Sequence, residues 1–137
     1  MTWLIVEDEA DIRIIVQTLC GVWGHNTLAF PDGEKAWRWL DDVEGGSFRG
    51  ELPELALLDI RMPGHTGDAV AGRMRQIEAL RHIAIVLMTA YALSDGDRER
   101  IMSTSGADHL IFKPLPDMEE LKILLHGILE RKKAGCS

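Results

Sequence analysis

The 137 residues carry 15 basic and 22 acidic side chains, a formal charge of −7, with 46% hydrophobic and 27% charged content. That profile fits one globular domain rather than a disordered chain, and its negative balance argues against a general nucleic-acid binder. No apolar run is long enough to cross a bilayer, and the start, Met1-Thr2-Trp3-Leu4, lacks the basic flank and cleavage site of a secretory leader.

Strand and helix signals alternate along the chain. Trp3-Leu4-Ile5-Val6 is a short apolar run of strand length. A helix is predicted from Asp8 or Glu9 through Gly21, with Ile12, Ile15, Val16, Leu19 and Cys20 on its apolar face. A weaker strand follows at about Asn26 to Phe30, and the turn Pro31-Asp32-Gly33 leads into a helix carrying Ala36, Trp37, Leu40 and Val43. Glu44 to Gly50 reads as a loop. Leu55-Ala56-Leu57-Leu58 forms the third strand, and a helix is predicted from about Asp68 to Leu80. The fourth strand, Ile83 to Met88, closes on Thr89. Ser94 with Asp97 forms a capping pattern for the next helix, which Gly106 stops. Leu110-Ile111-Phe112 is the fifth strand. Asp117 with Glu120 repeats the capping pattern before a final helix bearing Leu121, Leu124, Leu125, Ile128 and Leu129. Arg131-Lys132-Lys133 gives that helix a favourable charge at its carboxyl end.

Five strand–helix units with short connections predict an α/β fold, a parallel sheet covered by helices on both faces. The domain is read as residues 1–133 with a short tail, 134–137. Cys20 is expected in the core and Cys136 in the tail, so neither a disulfide framework nor a thiolate metal site is predicted. A reducing cytoplasm fits that pattern.

The chemistry gathers where strands end. Glu7 and Asp8 follow the first apolar run directly, and Asp59 follows the third. Buried parallel strands would bring these acids together at the carboxyl edge of the sheet, where open α/β folds place their ligands. Carboxylates held close raise one another's pKa and call for a cation. Oxygen-only donors favour a hard ion such as Mg²⁺. One carboxylate can then serve as nucleophile toward a phosphoryl group. Thr89 and Lys113 end two further strands and supply a hydrogen-bond donor and a counter-charge.

The ordered set Glu7-Asp8, Asp59, Thr89-Ala90 and Lys113-Pro114 resembles the receiver domain of two-component response regulators. The stretch Leu58-Asp59-Ile60-Arg61-Met62-Pro63-Gly64 looks like that family's phosphorylation-site loop, and the resemblance runs from Trp3 to about Arg131. It implies a flavodoxin-like (βα)5 three-layer sandwich with strand order 2-1-3-4-5. It also implies that Asp59 accepts a phosphoryl group, and that Glu7, Asp8, Asp59 and the backbone carbonyl of Arg61 hold Mg²⁺. Thr89 would bond a phosphoryl oxygen, and Lys113, before a cis proline bond, would pair with Asp59 or its phosphate. The implied partners are a histidine kinase or phosphotransfer protein and a downstream protein, without direct nucleic-acid contact or membrane insertion.

Several positions depart from the family pattern. Glu7 replaces the commoner aspartate, Leu110 stands where relatives often carry a switch aromatic, and Leu115 replaces a phenylalanine. Arg61 and Tyr91, each two positions beyond a site residue, are expected to overhang the acceptor and pack as a cation–π pair. By the resemblance these positions flank the path of hydrolytic water, which predicts slow self-dephosphorylation. The five histidines show no ligand spacing and the four tryptophans read as packing. A stand-alone signalling receiver is the leading reading, with a phosphorelay intermediate or phosphate sink as the alternative. An Mg²⁺-dependent aspartate-nucleophile phosphatase is disfavoured, because its second acid would fall at Arg61.

Overall fold

The structure, a computed structural model, describes residues 1–135. Its elements are β1 (Thr2–Val6), α1 (Ala10–Val22), β2 (Asn26–Phe30), α2 (Gly33–Glu44), β3 (Leu55–Asp59), α3 (Gly67–Met74), β4 (Ala84–Thr89), α4 (Asp95–Ser105), β5 (His109–Phe112) and α5 (Met118–Gly135). All strand pairs are parallel and the order is β2-β1-β3-β4-β5.

The apolar runs become β1, β3 and β4 because every one of their side chains is buried. Alternation along each strand feeds two cores. Leu4 and Val6 pack with Ala56 and Leu58 beneath α2, α3 and α4. Trp3 and Ile5 pack with Leu55 and Leu57 beneath α1 and α5. Burying one such Leu or Ile contributes about 1.5–3 kcal/mol, so the unbroken runs take the centre of the sheet. β2, at an edge, is only half-buried.

The predicted caps form. Ser94 Oγ accepts from Asp97 N at 3.1 Å, Asp117 Oδ1 accepts from Glu120 N at 2.9 Å, and Gly106 ends α4 in the left-handed region at φ +67°.

Some boundaries differ from expectation. α1 starts at Ala10, with Glu9 as its N-cap, which leaves Asp8 in the loop. Ile15 is 55% exposed, and the buried residues of α1 are Val16 and Cys20. In α2 the buried tryptophan is Trp39, whereas Trp37 is half-buried. α3 ends at Met74 rather than near Leu80. Beyond it, Ile77 N bonds Met74 O and Leu80 N bonds Ile77 O, turns whose three-residue spacing buries Ile77 and Leu80 as a helix would. Arg75 fixes this path by donating to the carbonyls of Arg81, Ile83 and Gly106. α5 includes Ala134 and Gly135; Cys136 and Ser137 lie outside the described residues.

Candidate functional site

Register builds the site. Val6 pairs with Leu58, so Glu7 follows level with Asp59. Asp59 pairs with Met88, which puts Thr89 one step beyond on β4. Thr89 pairs with Phe112, and Lys113 N then bonds Thr89 O at 2.8 Å. Four segments far apart in sequence therefore converge at the carboxyl edge.

One carboxylate oxygen from each of Glu7, Asp8 and Asp59 lies within 4.8 Å of the others. Glu7 and Asp59 are buried, while Asp8 is exposed at the mouth. Lys113, whose side chain is 7% exposed, lies between them: its Nζ is 2.6 Å from Glu7 Oε1 and donates to Asp59 Oδ2 at 3.2 Å. The single Lys113 ammonium is thus shared between two buried carboxylates, as a close ion pair with Glu7 and a longer contact with Asp59. Glu7 Oε2 accepts from Glu9 N at 3.2 Å, and Arg13 Nη1 holds the Glu7 carbonyl at 2.8 Å.

Burial, reinforced by the neighbouring Asp59 carboxyl, pushes the Glu7 pKa up to about 7 against the pull of Lys113. Burial also raises the pKa of Asp59, opposed by Glu7 and by the Lys113 charge. Lys113 itself is raised by both acids, against its own burial. Two buried carboxyls that one ammonium cannot fully satisfy, with a third at the mouth, form an all-oxygen donor set. That chemistry fits a hard divalent cation.

Thr89 is buried, and its hydroxyl oxygen accepts from Tyr91 N at 3.2 Å, which leaves its proton free to be donated. Arg61 lies over the Tyr91 ring, 4.0 Å from its centroid, so the expected cation–π pair forms. The Lys113-Pro114 peptide is cis. Leu110 is buried in the core.

The family model for the response regulator receiver domain matches residues 3–126. The chain belongs to the receiver domain family. It is 31% identical to the phosphate regulon transcriptional regulatory protein PhoB of Pseudomonas aeruginosa over 99% of its own length and 55% of that protein's. It is also 31% identical to the probable transcriptional regulator ycf27 of Porphyridium aerugineum, covering 98% of this chain and 50% of that one. The chain thus spans about half the length of these curated relatives. Among solved structures, a receiver domain protein from Methanospirillum hungatei matches at TM-score 0.78 and 22% identity, over 98% of this chain and 97% of that one. The receiver of sensor histidine kinase PA1611 from Pseudomonas aeruginosa, described with magnesium in its active-site cleft, matches at TM-score 0.76 and 25% identity over 94% and 97%.

Two contacts in this receiver had no signal in the sequence. His25 and His126, 101 positions apart, bring their Nε2 atoms to 2.8 Å beside Trp3 and Trp23. His65 stacks on Trp37 at 3.7 Å between centroids and 11° between planes. Cys20 is a buried core residue whose thiol pKa burial pushes up to about 11. Among the described residues no helix is long and apolar enough to cross a membrane.

Proposed function

We propose that this receiver accepts a phosphoryl group from a kinase phosphohistidine onto Asp59 and signals through a phosphorylation-dependent protein contact. The observation that supports this best is Asp59 itself, buried within an acidic cluster, bonded to Lys113, and followed on the next strand by Thr89. In the transfer the histidine N–P bond breaks as a bond forms between phosphorus and an Asp59 carboxylate oxygen. Glu7, Asp8, Asp59 and the Arg61 carbonyl would hold Mg²⁺, which supplies positive charge to the phosphoryl oxygens when bound. Lys113 pairs with the transferred group, and the Thr89 hydroxyl donates to one of its oxygens.

The donor's approach has a suitable surface. Ile12, Ile15, Pro114, Leu115 and Pro116 line an apolar groove of about 280 Å³ that Lys113 also borders. In this reading the protein that carries the phosphohistidine docks on that apolar surface, with its histidine toward Lys113 and Asp59. The resemblance to the PA1611 kinase's own receiver favours a second reading, in which the phosphoryl group passes onward to a phosphotransfer histidine.

The test is incubation with acetyl phosphate and Mg²⁺ followed by mass analysis. Wild type should gain one acid-labile phosphoryl group, and Asp59→Asn none while keeping its fold. Full labelling of Asp59→Asn refutes the assignment.

A further inference from the structure

A phosphoryl group on Asp59 adds between one and two negative charges and three acceptor oxygens to a buried position. β3 cannot easily yield to it, being paired with β1 on one side and β4 on the other and buried along its whole length. The loop 60–66 carries the chain away from Asp59 and out of the sheet, and its contacts decide where a displacement at the acceptor goes.

That loop is fastened to two helices. Gly67, the first residue of α3, has no space for a Cβ, which would collide with the Asp59 carbonyl; its N–H donates to Ile60 O at 2.9 Å. α3 therefore starts directly against the acceptor's backbone. The middle of the loop lies on the start of α2. Gly33 N donates to Pro63 O at 3.2 Å, and a Cβ on Gly33 would collide with the His65 carbonyl. Gly64 sits at φ +79°, and a Cβ there would crowd the backbone and Cβ of Glu34.

Side chains complete the connection. His65 stacks on Trp37 of α2, and Arg73 of α3 lies over the same indole at 4.7 Å. Arg73 also donates to the Trp37 carbonyl at 3.2 Å, to Asp41 at 2.7 Å and to Glu44 at 3.0 Å. Trp37 is thus held by the acceptor loop and by α3 together. On the β5 side, Leu110 is aliphatic and buried, and the Thr89 hydroxyl oxygen is bonded within its own loop.

We infer that phosphorylation of Asp59 is transmitted to α2 through the His65–Trp37 stack, so that the α2–α3 face reports the phosphoryl group. This rests on Asp59 being the acceptor. His65 and Trp37 are positioning residues: neither touches the reacting atoms, and both act through the loop that carries them.

The experiment follows the four tryptophan indole N–H signals by NMR as beryllofluoride and Mg²⁺ are added, with loading counted independently by calorimetry. Wild type should load and shift the Trp37 signal. His65→Ala should load equally but lose about half or more of that shift, and His65→Phe, which restores a stacking ring, should recover it. Loading without movement at Trp37, or an undiminished shift in His65→Ala, overturns the inference. Failure of wild type to load any beryllofluoride is a different result: it overturns the acceptor assignment and, with it, the coupling that rests on it.

Discussion

Removing the Arg61–Tyr91 pair should shorten the life of the phosphorylated state. The two side chains come from loops that leave the carboxyl ends of β3 and β4, and they meet at 4.0 Å. Tyr91 is 51% exposed, so the contact belongs in the solvent-screened range, about 0.5–1 kcal/mol. If that energy holds the two side chains across the path of attacking water, losing it lowers the hydrolysis barrier by up to the same amount. At about 1.4 kcal/mol per tenfold, decay should quicken about two- to fivefold. Arg61→Ala and Tyr91→Ala should each give most of that gain, and together little more, because each already breaks the shared contact. The Arg61→Asn, Tyr91→Glu double variant should decay faster still, since a carboxylate there can orient water. The assay is loss of acid-labile phosphate after removal of the donor, at fixed Mg²⁺. Decay of the double variant no faster than wild type refutes the shielding argument, whatever the absolute lifetime.

Mg²⁺ at ten times its Kd should stabilise the fold by about 1.4 kcal/mol, a rise in Tm of about 5 °C for a domain of this size; Asp8→Asn should lose most of the rise in thermal melts. Burial and the nearby His126 lower the His25 pKa, and a proton added at His25 Nδ1 would sit on a buried atom without a partner. The unfolded chain therefore takes up that proton first, so His25 contributes stability above pH about 6.5 that is lost as pH falls. Glu7, pushed up to about 7, has the opposite sign; the reading is the difference between wild type and His25→Gln urea midpoints at pH 7.5 and 5.5, and equal slopes refute it. Gly33→Ala should destabilise by about 1–3 kcal/mol because its methyl collides with the His65 carbonyl. Gly96→Ala, with open space around the same position in exposed α4, should be neutral or stabilising by up to about 1 kcal/mol in the same melts.

Particular residues show how far the sequence reached. Asp59, Thr89 and Lys113 were legible because each ends an apolar run, and a buried parallel strand delivers its last residue to a known edge. The pairing of Arg61 with Tyr91 was legible for the same reason, as both follow strand ends by two positions. The end of α3 was not, since turns at three-residue spacing bury Ile77 and Leu80 with nearly helical periodicity. Nor was the division of labour within α2, where Trp39 is buried and Trp37 packs half-buried against the same core.

By itself the sequence determined the strands, their parallel sense and which polar side chains stand at their ends, because a run of apolar side chains states locally that both faces of a strand will be covered. The tertiary structure alone decided that Lys113 approaches Glu7 more closely than Asp59, that His25 meets His126, and that His65 lies on Trp37. These contacts join segments whose separation carries no periodic signal. They arise only once the sheet fixes which strand ends, turns and helix faces are neighbours.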